Sequence, residues 1–184
     1  MNYKFLENYC LKSEEYELVS IRNEDMLLIK EWRNDQIDVL RQRKPLSDED
    51  QRNYFREKVL PTFDQAEPEQ ILLSYLKNGK CIGYGGLVHL DWEARRGEVS
   101  FLLETARVSD RDMHSREFKT YLALIKQLAF KILKLHRLST ETFDVRPWHV
   151  AVLESEGFKF EGRLRDHVKI QGEYTDSLLH GLII

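Results

Sequence analysis

Residues 70–90 constrain the fold more than any other stretch of this chain. Gln70 to Leu76 (QILLSYL) is a mostly apolar run, Asn78-Gly79 is a tight turn pair, and Lys80 to Leu90 (KCIGYGGLVHL) is a second strand-like run. Two such runs around Asn-Gly form a β-hairpin, because both residues tolerate the positive φ of the turn. Antiparallel sheet is therefore part of the fold. Gly83, Gly85 and Gly86 fall inside the second strand. Glycines there give up side-chain packing, so they mark a bulge or the close approach of another segment or ligand.

The flanking sequence extends the sheet and adds helices. Tyr16 to Arg22 (YELVSIR) alternates apolar and polar residues as a half-buried strand does. Asn23 offers a cap for a helix carrying Met26, Leu27, Ile29 and Trp32, which ends near Arg33-Asn34-Asp35. Ser47-Asp48-Glu49-Asp50 starts a second helix, with a capping hydroxyl and an acidic residue three positions on. Arg96 to Glu104 reads as a strand. From Phe118 to Leu133 the residues Phe118, Tyr121, Leu122, Ile125, Leu128, Ala129 and Ile132 recur at helical spacing. Arg137 to Phe143 is a strand; Pro147 opens and Gly157 closes the next helix. A last hairpin, roughly Gly162 to Ile170 and Glu173 to Ile183, turns at Gln171-Gly172. This order predicts an α/β (α+β) fold: a mixed, mostly antiparallel sheet with helices on both faces.

The chain has 184 residues, the length of one domain. The loop-like stretch Leu60 to Gln70 is too short for a linker. A single domain over 1–184 is expected, with 1–15 as an N-terminal extension. Twenty-eight basic against thirty-one acidic residues give a formal charge of −3, which argues against a nucleic-acid binder. Cys10 and Cys81 make neither a disulfide framework nor a metal-ligand spacing. No apolar run approaches the roughly 20 residues of a membrane span, and MNYKFLENYC lacks a signal peptide's apolar core. A cytoplasmic protein without nucleic-acid or membrane partners is the expectation.

Several collinear motifs add to this. They are Glu31-Trp32-Arg33-Asn34 closing the first helix and the glycine-rich run Cys81-Ile82-Gly83-Tyr84-Gly85-Gly86. Glu98 follows in the strand before the long helix, then Glu154-Ser155-Glu156-Gly157-Phe158 with Glu161-Gly162, and the tail Gly172-Glu173-Tyr174-Thr175-Asp176. Together they resemble the Gcn5-related N-acetyltransferase (GNAT) superfamily over about Tyr16 to Ile183. The likeness is closest to the branch that acetylates protein N-termini, ribosomal proteins among them, and amino-sugar nucleotides. Leu40-Arg41-Gln42 followed by Pro45-Leu46-Ser47 looks like a sub-branch associated with surface-glycan pathways. The resemblance implies acetyl-CoA as co-substrate and a small-molecule amine as acceptor, an amino sugar carried on a nucleotide. A GNAT-like binding module without catalysis, a differently bound acyl donor and a protein N-terminal acetyltransferase remain as alternatives.

That chemistry needs a base for the amine proton, a donor for the carbonyl oxygen and a set of groups for the pyrophosphate. The resemblance puts the base at Glu98; the plain alternative is a surface pair with Arg95 or Arg96. It gives Phe101, Leu102 and Leu103 to the pantetheine arm through their backbone, and their side chains to the core. The pyrophosphate loop maps onto Met113 to Phe118, including Ser115 and Arg116, but its glycine positions hold Arg116 and Phe118. No glycine occurs between Gly97 and Gly157, so an amide cradle there is degenerate. Arg146 takes the place of a cofactor-touching Asn and suits a phosphate; its alternative partner is Asp144. Leu153 stands where the family often has a tyrosine acid and cannot donate a proton. Arg33, Arg41, Gln42, Tyr84, His89 and Tyr174 are the acceptor-side candidates, with Trp32 assigned to the core. His114, His149, His167 and His180 have no metal-like spacing, so no metal is expected. An exposed edge strand near the C-terminus would suit a homodimer.

Overall fold

The computed structural model describes residues 2–7 and 9–184; Met1 and Asn8, both in the 1–15 stretch, lie outside them. Among these residues the strands are β1 (Leu11–Ser13), β2 (Tyr16–Ser20), β3 (Ile71–Lys77), β4 (Lys80–Asp91), β5 (Arg96–Leu103), β6 (Arg137–Phe143), β7 (Lys159–Ile170) and β8 (Glu173–Ile183). The helices are α1 (Met26–Asp35), α2 (Asp48–Tyr54), α3 (Thr105–Val108), α4 (Arg111–Lys126) and α5 (Pro147–Ser155). The last turns of α2 and α4 widen into π-helix over Phe55–Val59 and Gln127–Ile132.

All eight strands form one sheet in the order β1-β2-β3-β4-β5-β6-β8-β7. Every neighbouring pair is antiparallel except β5 and β6, which run parallel. The β3–β4 hairpin turns where the sequence placed it, with Asn78 and Gly79 at φ 49° and 79°. Strand β7 is an edge of the sheet, the edge on which the homodimer expectation rests.

Alternation along β4 shows how the helices divide. The Tyr84 hydroxyl meets Arg33 of α1 on one face. The next residue, Gly85, lies under Tyr121 of α4 on the other. Helices therefore cover both faces. Tyr121 donates from its hydroxyl across Gly85 to the Ser100 carbonyl (2.6 Å), which is the close approach that the glycines signalled. Gly86 has φ +142° and faces the Ile71 carbonyl, so it too has no room for a Cβ.

Two expectations change at the N-terminal side of an element. The 1–15 stretch is built into the body: β1 pairs with β2, and Tyr3 is fully buried with its hydroxyl accepting the Leu72 N–H (2.8 Å). The long helix begins at Arg111, not at Phe118. Asp110 caps it, its carboxylate accepting the N–H groups of Asp112 (3.1 Å) and Met113 (3.0 Å). A capped helix start outweighs a gap in apolar periodicity. Ser47 and Asp50 form the capping box of α2. Trp32 is 4% exposed, in the core. No helix among the described residues is long and apolar enough to cross a membrane.

Gly85→Ala is expected to destabilise the fold by about 1–3 kcal/mol, since its Cβ would strike the Ser100 carbonyl and the Tyr121 hydroxyl. Gly162→Ala, with nothing within 4 Å, should change stability by no more than about 0.5 kcal/mol. Urea unfolding of both variants checks the contrast; equal effects would refute it.

Candidate active site

The parallel pairing of β5 and β6 is brief. It covers Arg96↔Arg137, Gly97↔Leu138 and Glu98↔Ser139, and then the strands part. Beyond Glu98, the β6-facing edge of β5 has left the ladder, although β4 still pairs with it as far as Leu103. The fork holds a cavity of about 320 Å³. Glu98 and Phe101 line it from β5, Glu141 from β6, Arg146 and His149 from the start of α5, and Arg41 from the segment after α1.

At the fork, Arg41 bridges two carboxylates. Its Nη2 lies 2.9 Å from Glu98 Oε1 and 2.7 Å from Glu141 Oε2. Burial opposes the charge on Arg41, but Glu98 and Glu141 outweigh it and raise its pKa. Glu98 does not take the surface pairing open to it: Arg96 pairs with Asp91 (3.1 Å) and Arg95 donates to the Lys134 carbonyl. Two bulges turn histidines toward the same cluster, a common use of bulges beside sites. His89, at φ 50° where the β4–β5 register shifts, brings Nε2 within 3.4 Å of Arg41 Nη1. His167, in the β7 bulge between Leu164 and Val168, lies 3.6 Å from Glu141.

Arg33, Gln42 and Tyr84 also come together. Arg33 donates to the Tyr84 hydroxyl and, through Nε, to Gln42 Oε1 (2.9 Å). Gln42 Nε2 donates to Asn34 Oδ1 (2.9 Å), and Asn34 holds Leu46 through both backbone groups. This network fixes the segment that carries Arg41. Arg33 lines the cavity and forms no ion pair among the described residues. Tyr174 stands apart. It is 67% exposed near the tip of the β7–β8 hairpin and lines neither the cavity nor the groove beside it, because that hairpin runs on past the fork.

On the other side of the fork the sequence-based loop is replaced by helix. Ser115 and Arg116 sit in α4, Arg116 is exposed, and neither lines the cavity. Three N–H groups of the first α4 turn that could cradle an anion, those of Asp112, Met113 and His114, are taken by Asp110. Arg146 offers the charge instead. Burial is the sole cause that pushes it down to about 10. The Asp144 pairing open to it is not made, since Asp144 holds Arg163 (2.7 Å). Phe101 packs over Phe118 at 4.4 Å. The Leu102 and Leu103 side chains are buried in the core, and Gln36 Nε2 donates to the Leu103 carbonyl (2.8 Å).

Sequence reasoning missed one pair. His149 stacks on Phe118 at 4.2 Å and places Nδ1 3.4 Å from His114 Nε2. Thirty-five residues separate the two histidines, so no local motif signals the contact; only the packing of α4 on α5 creates it. Burial, helped by Arg146, pushes His114 down to about 4. Burial, then Arg146 and His114, pushes His149 well below its ordinary value. Both imidazoles are neutral at pH 7.

The model of the acetyltransferase (GNAT) domain matches residues 18–179. The chain belongs to the GNAT acetyltransferase family. It is an acetyltransferase, and the acyl donor of GNAT acetyltransferases is acetyl-CoA. The GNAT fold is also that of spermidine N-acetyltransferase from Vibrio cholerae in complex with CoA and spermine. That structure has a TM-score of 0.75 and 16% identity, over 93% of this chain and 96% of that one. Spermidine/spermine N-acetyltransferase SpeG from the same organism, in complex with manganese ions, has a TM-score of 0.76 at 17% identity, over 92% and 93%. No curated protein matches the chain in sequence. Among the described residues of this GNAT chain, no three His, Cys, Asp or Glu side chains are grouped to hold a metal.

The histidine pair makes a pH dependence. An unfolded chain protonates both histidines below about pH 6.5, whereas the folded chain keeps His114 neutral down to about 4 and holds His149 well below its ordinary value. The unfolded state binds more protons in that window, so stability falls as pH drops from about 6.5 toward 4. For His114→Asn, urea unfolding between these limits should give a slope of stability against pH shallower by about one proton. An unchanged slope would overturn this.

Proposed function

We propose that this acetyltransferase moves the acetyl group of acetyl-CoA to the primary amine of a small acceptor that also carries an anionic group. A nucleotide-linked amino sugar meets both conditions. The observation that carries this reading is the pair of arginines without carboxylate partners, Arg146 and Arg33, at the fork where Glu98 faces the cavity.

Arg146 is a partly buried cation without a counter-ion, and a phosphate of the donor supplies one. Guanidinium binds phosphate with paired N–H groups. When bound, acetyl-CoA supplies a thioester carbonyl open to an amine. Phe101 and its neighbours bring backbone groups released from the ladder to the edge of the same cavity. Glu98 takes up the amine proton. Its Oε1 is held by Arg41, which fixes the carboxylate's direction. Arg33 binds the anionic group of the acceptor, and Gln42, Tyr84 and His89 hold the surrounding surface in shape.

Charge around the acceptor side supports an anionic acceptor over a polycation. Arg33, Arg41, Arg43 and Lys169 face the cavity and the adjoining groove, against Asp38, Glu98 and Glu141. A polyamine would meet Arg33 and Arg41 first. Both cysteines are free, which suits a reducing cytoplasmic setting.

The test is CoA release from acetyl-CoA with a nucleotide-linked amino sugar, spermidine and a peptide with a free N-terminus as acceptors. The nucleotide-linked sugar is expected to turn over at least tenfold faster. Spermidine or the peptide as best acceptor would overturn the acceptor assignment. In the same assay Glu98→Gln should lower kcat about 10²–10⁴-fold with donor KM nearly unchanged. Arg146→Gln should raise donor KM about 10–100-fold. Parent-like constants in either variant would remove that residue from its role.

A further inference from the structure

The acetyl-transfer reading leaves one requirement without a residue. Leu153 cannot assist the departing sulfur, and the backbone edge of β5 serves the carbonyl. His149 lines the same cavity as Glu98. Its ring is clamped between Phe118, at 4.2 Å, and the hydrogen bond through Nδ1 to His114. That bond leaves Nε2 for the cavity.

The tautomer follows from what surrounds His114. Its Nδ1 is sealed from solvent without a partner among the described residues. A buried N–H without an acceptor is rarer and costlier than a bare acceptor. The His114 proton therefore sits on Nε2 and is donated to His149 Nδ1. A neutral His149 must then carry its own proton on Nε2, facing the cavity.

We propose that His149 is the hydrogen-bond donor to the sulfur that leaves in acetyl transfer, with His114 as the positioning residue that fixes its tautomer. The inference rests on the acetyl-CoA reading above. The balance is simple. The new C–N bond forms as the C–S bond breaks, and the electron pair leaves on sulfur. The amine proton goes to Glu98 and from there to solvent. His149 keeps its proton and lends only the hydrogen bond, and the thiolate takes a proton from solvent after release.

Binding of products tests this without turnover. A site that favours thiolate binds CoA more tightly as pH rises through the thiol's titration, at about 8.5 for an ordinary alkyl thiol. Desulfo-CoA lacks that group. The other charged or titratable groups facing the cavity are Arg33, Arg41, Glu98, Glu141 and Arg146, with His114 behind His149. They act on both ligands, so the ratio of the two affinities isolates the sulfur.

Between pH 6.5 and 9.5 the parent protein should gain about tenfold for CoA over desulfo-CoA. His149→Phe keeps the stack on Phe118 and removes the donor, and should lose most of that gain while binding desulfo-CoA as the parent does. His149→Gln, which restores an N–H donor, should recover part of it. A parent-like gain in His149→Phe, or no gain in the parent, overturns the proposal. Should the parent bind neither CoA nor acetyl-CoA, the donor reading itself fails; CoA binding without the pH-dependent ratio sinks only the role of His149. Thermal unfolding of His149→Phe confirms a folded protein; should it not fold, His149→Gln and the parent decide alone, and equal ratios with no gain refute the idea.

Discussion

The site depends on a parallel strand pairing that stops after three residues. Parallel strands hydrogen-bond evenly and hold one another wherever they stay adjacent. Between β5 and β6 that adjacency ends at Glu98↔Ser139. The reason lies in what fills the space beyond. Phe101, Phe118 and His149 stack between β5, α4 and α5, and aromatic rings of this size hold the strands apart while burying apolar area. The other mouth of the fork is spanned by Arg41, bound to one carboxylate from each strand. Sheet closure and cavity are thus alternatives, and packing on one side with ion pairing on the other selects the cavity.

The distribution of charge follows from that opening. Several ions in the molecule are matched: Arg163 with Asp144 and Asp176, Arg107 with Glu104 and the buried Glu117. Arg146, inside the fork, has no carboxylate partner among the described residues, and burial alone lowers its pKa. An unmatched charge that is partly desolvated is a cost to the fold. Such groups persist where a ligand completes them, and they concentrate at functional sites. Burial is the main reason the two histidines beside it stay neutral, and this charge adds to it, since a neighbouring cation opposes a second positive charge.

The large elements were legible in the sequence because each rests on local chemistry. Asn78-Gly79 fixed the hairpin, Pro147 and Gly157 bounded α5, and the glycines of β4 signalled the approach of Tyr121. Glu98 and Arg146 were placed at the fork by resemblance. What stayed hidden was non-local. The His114–His149 contact needs α4 to lie on α5, and Arg41 reaches Glu98 and Glu141 only through the fold. Ser115 and Arg116 were assigned to a loop because a family pattern was imposed on a segment whose own signal, Asp110 as a helix cap, was local and stronger. Tyr174 was included because it follows the closing turn, but its side chain points away from the fork.

On the proposed reading an arginine stands in for an amide cradle, which changes the physics of donor binding. Helix-end N–H groups are neutral donors fixed by the backbone, and here they satisfy Asp110. A guanidinium carries full charge on a side chain, so its attraction to phosphate reaches further and is screened by salt. Arg146 is nevertheless restrained, because Pro147 follows it directly and narrows its backbone choices. The histidine pair, the first turn of α5 and Arg146 are therefore one unit. Moving α5 against α4 would break the imidazole contact and shift the arginine together. On the proposed reading, coupling of this kind puts the sulfur-facing and phosphate-facing groups on a single turn, so their spacing along the donor is set by the helix, not by two independent loops.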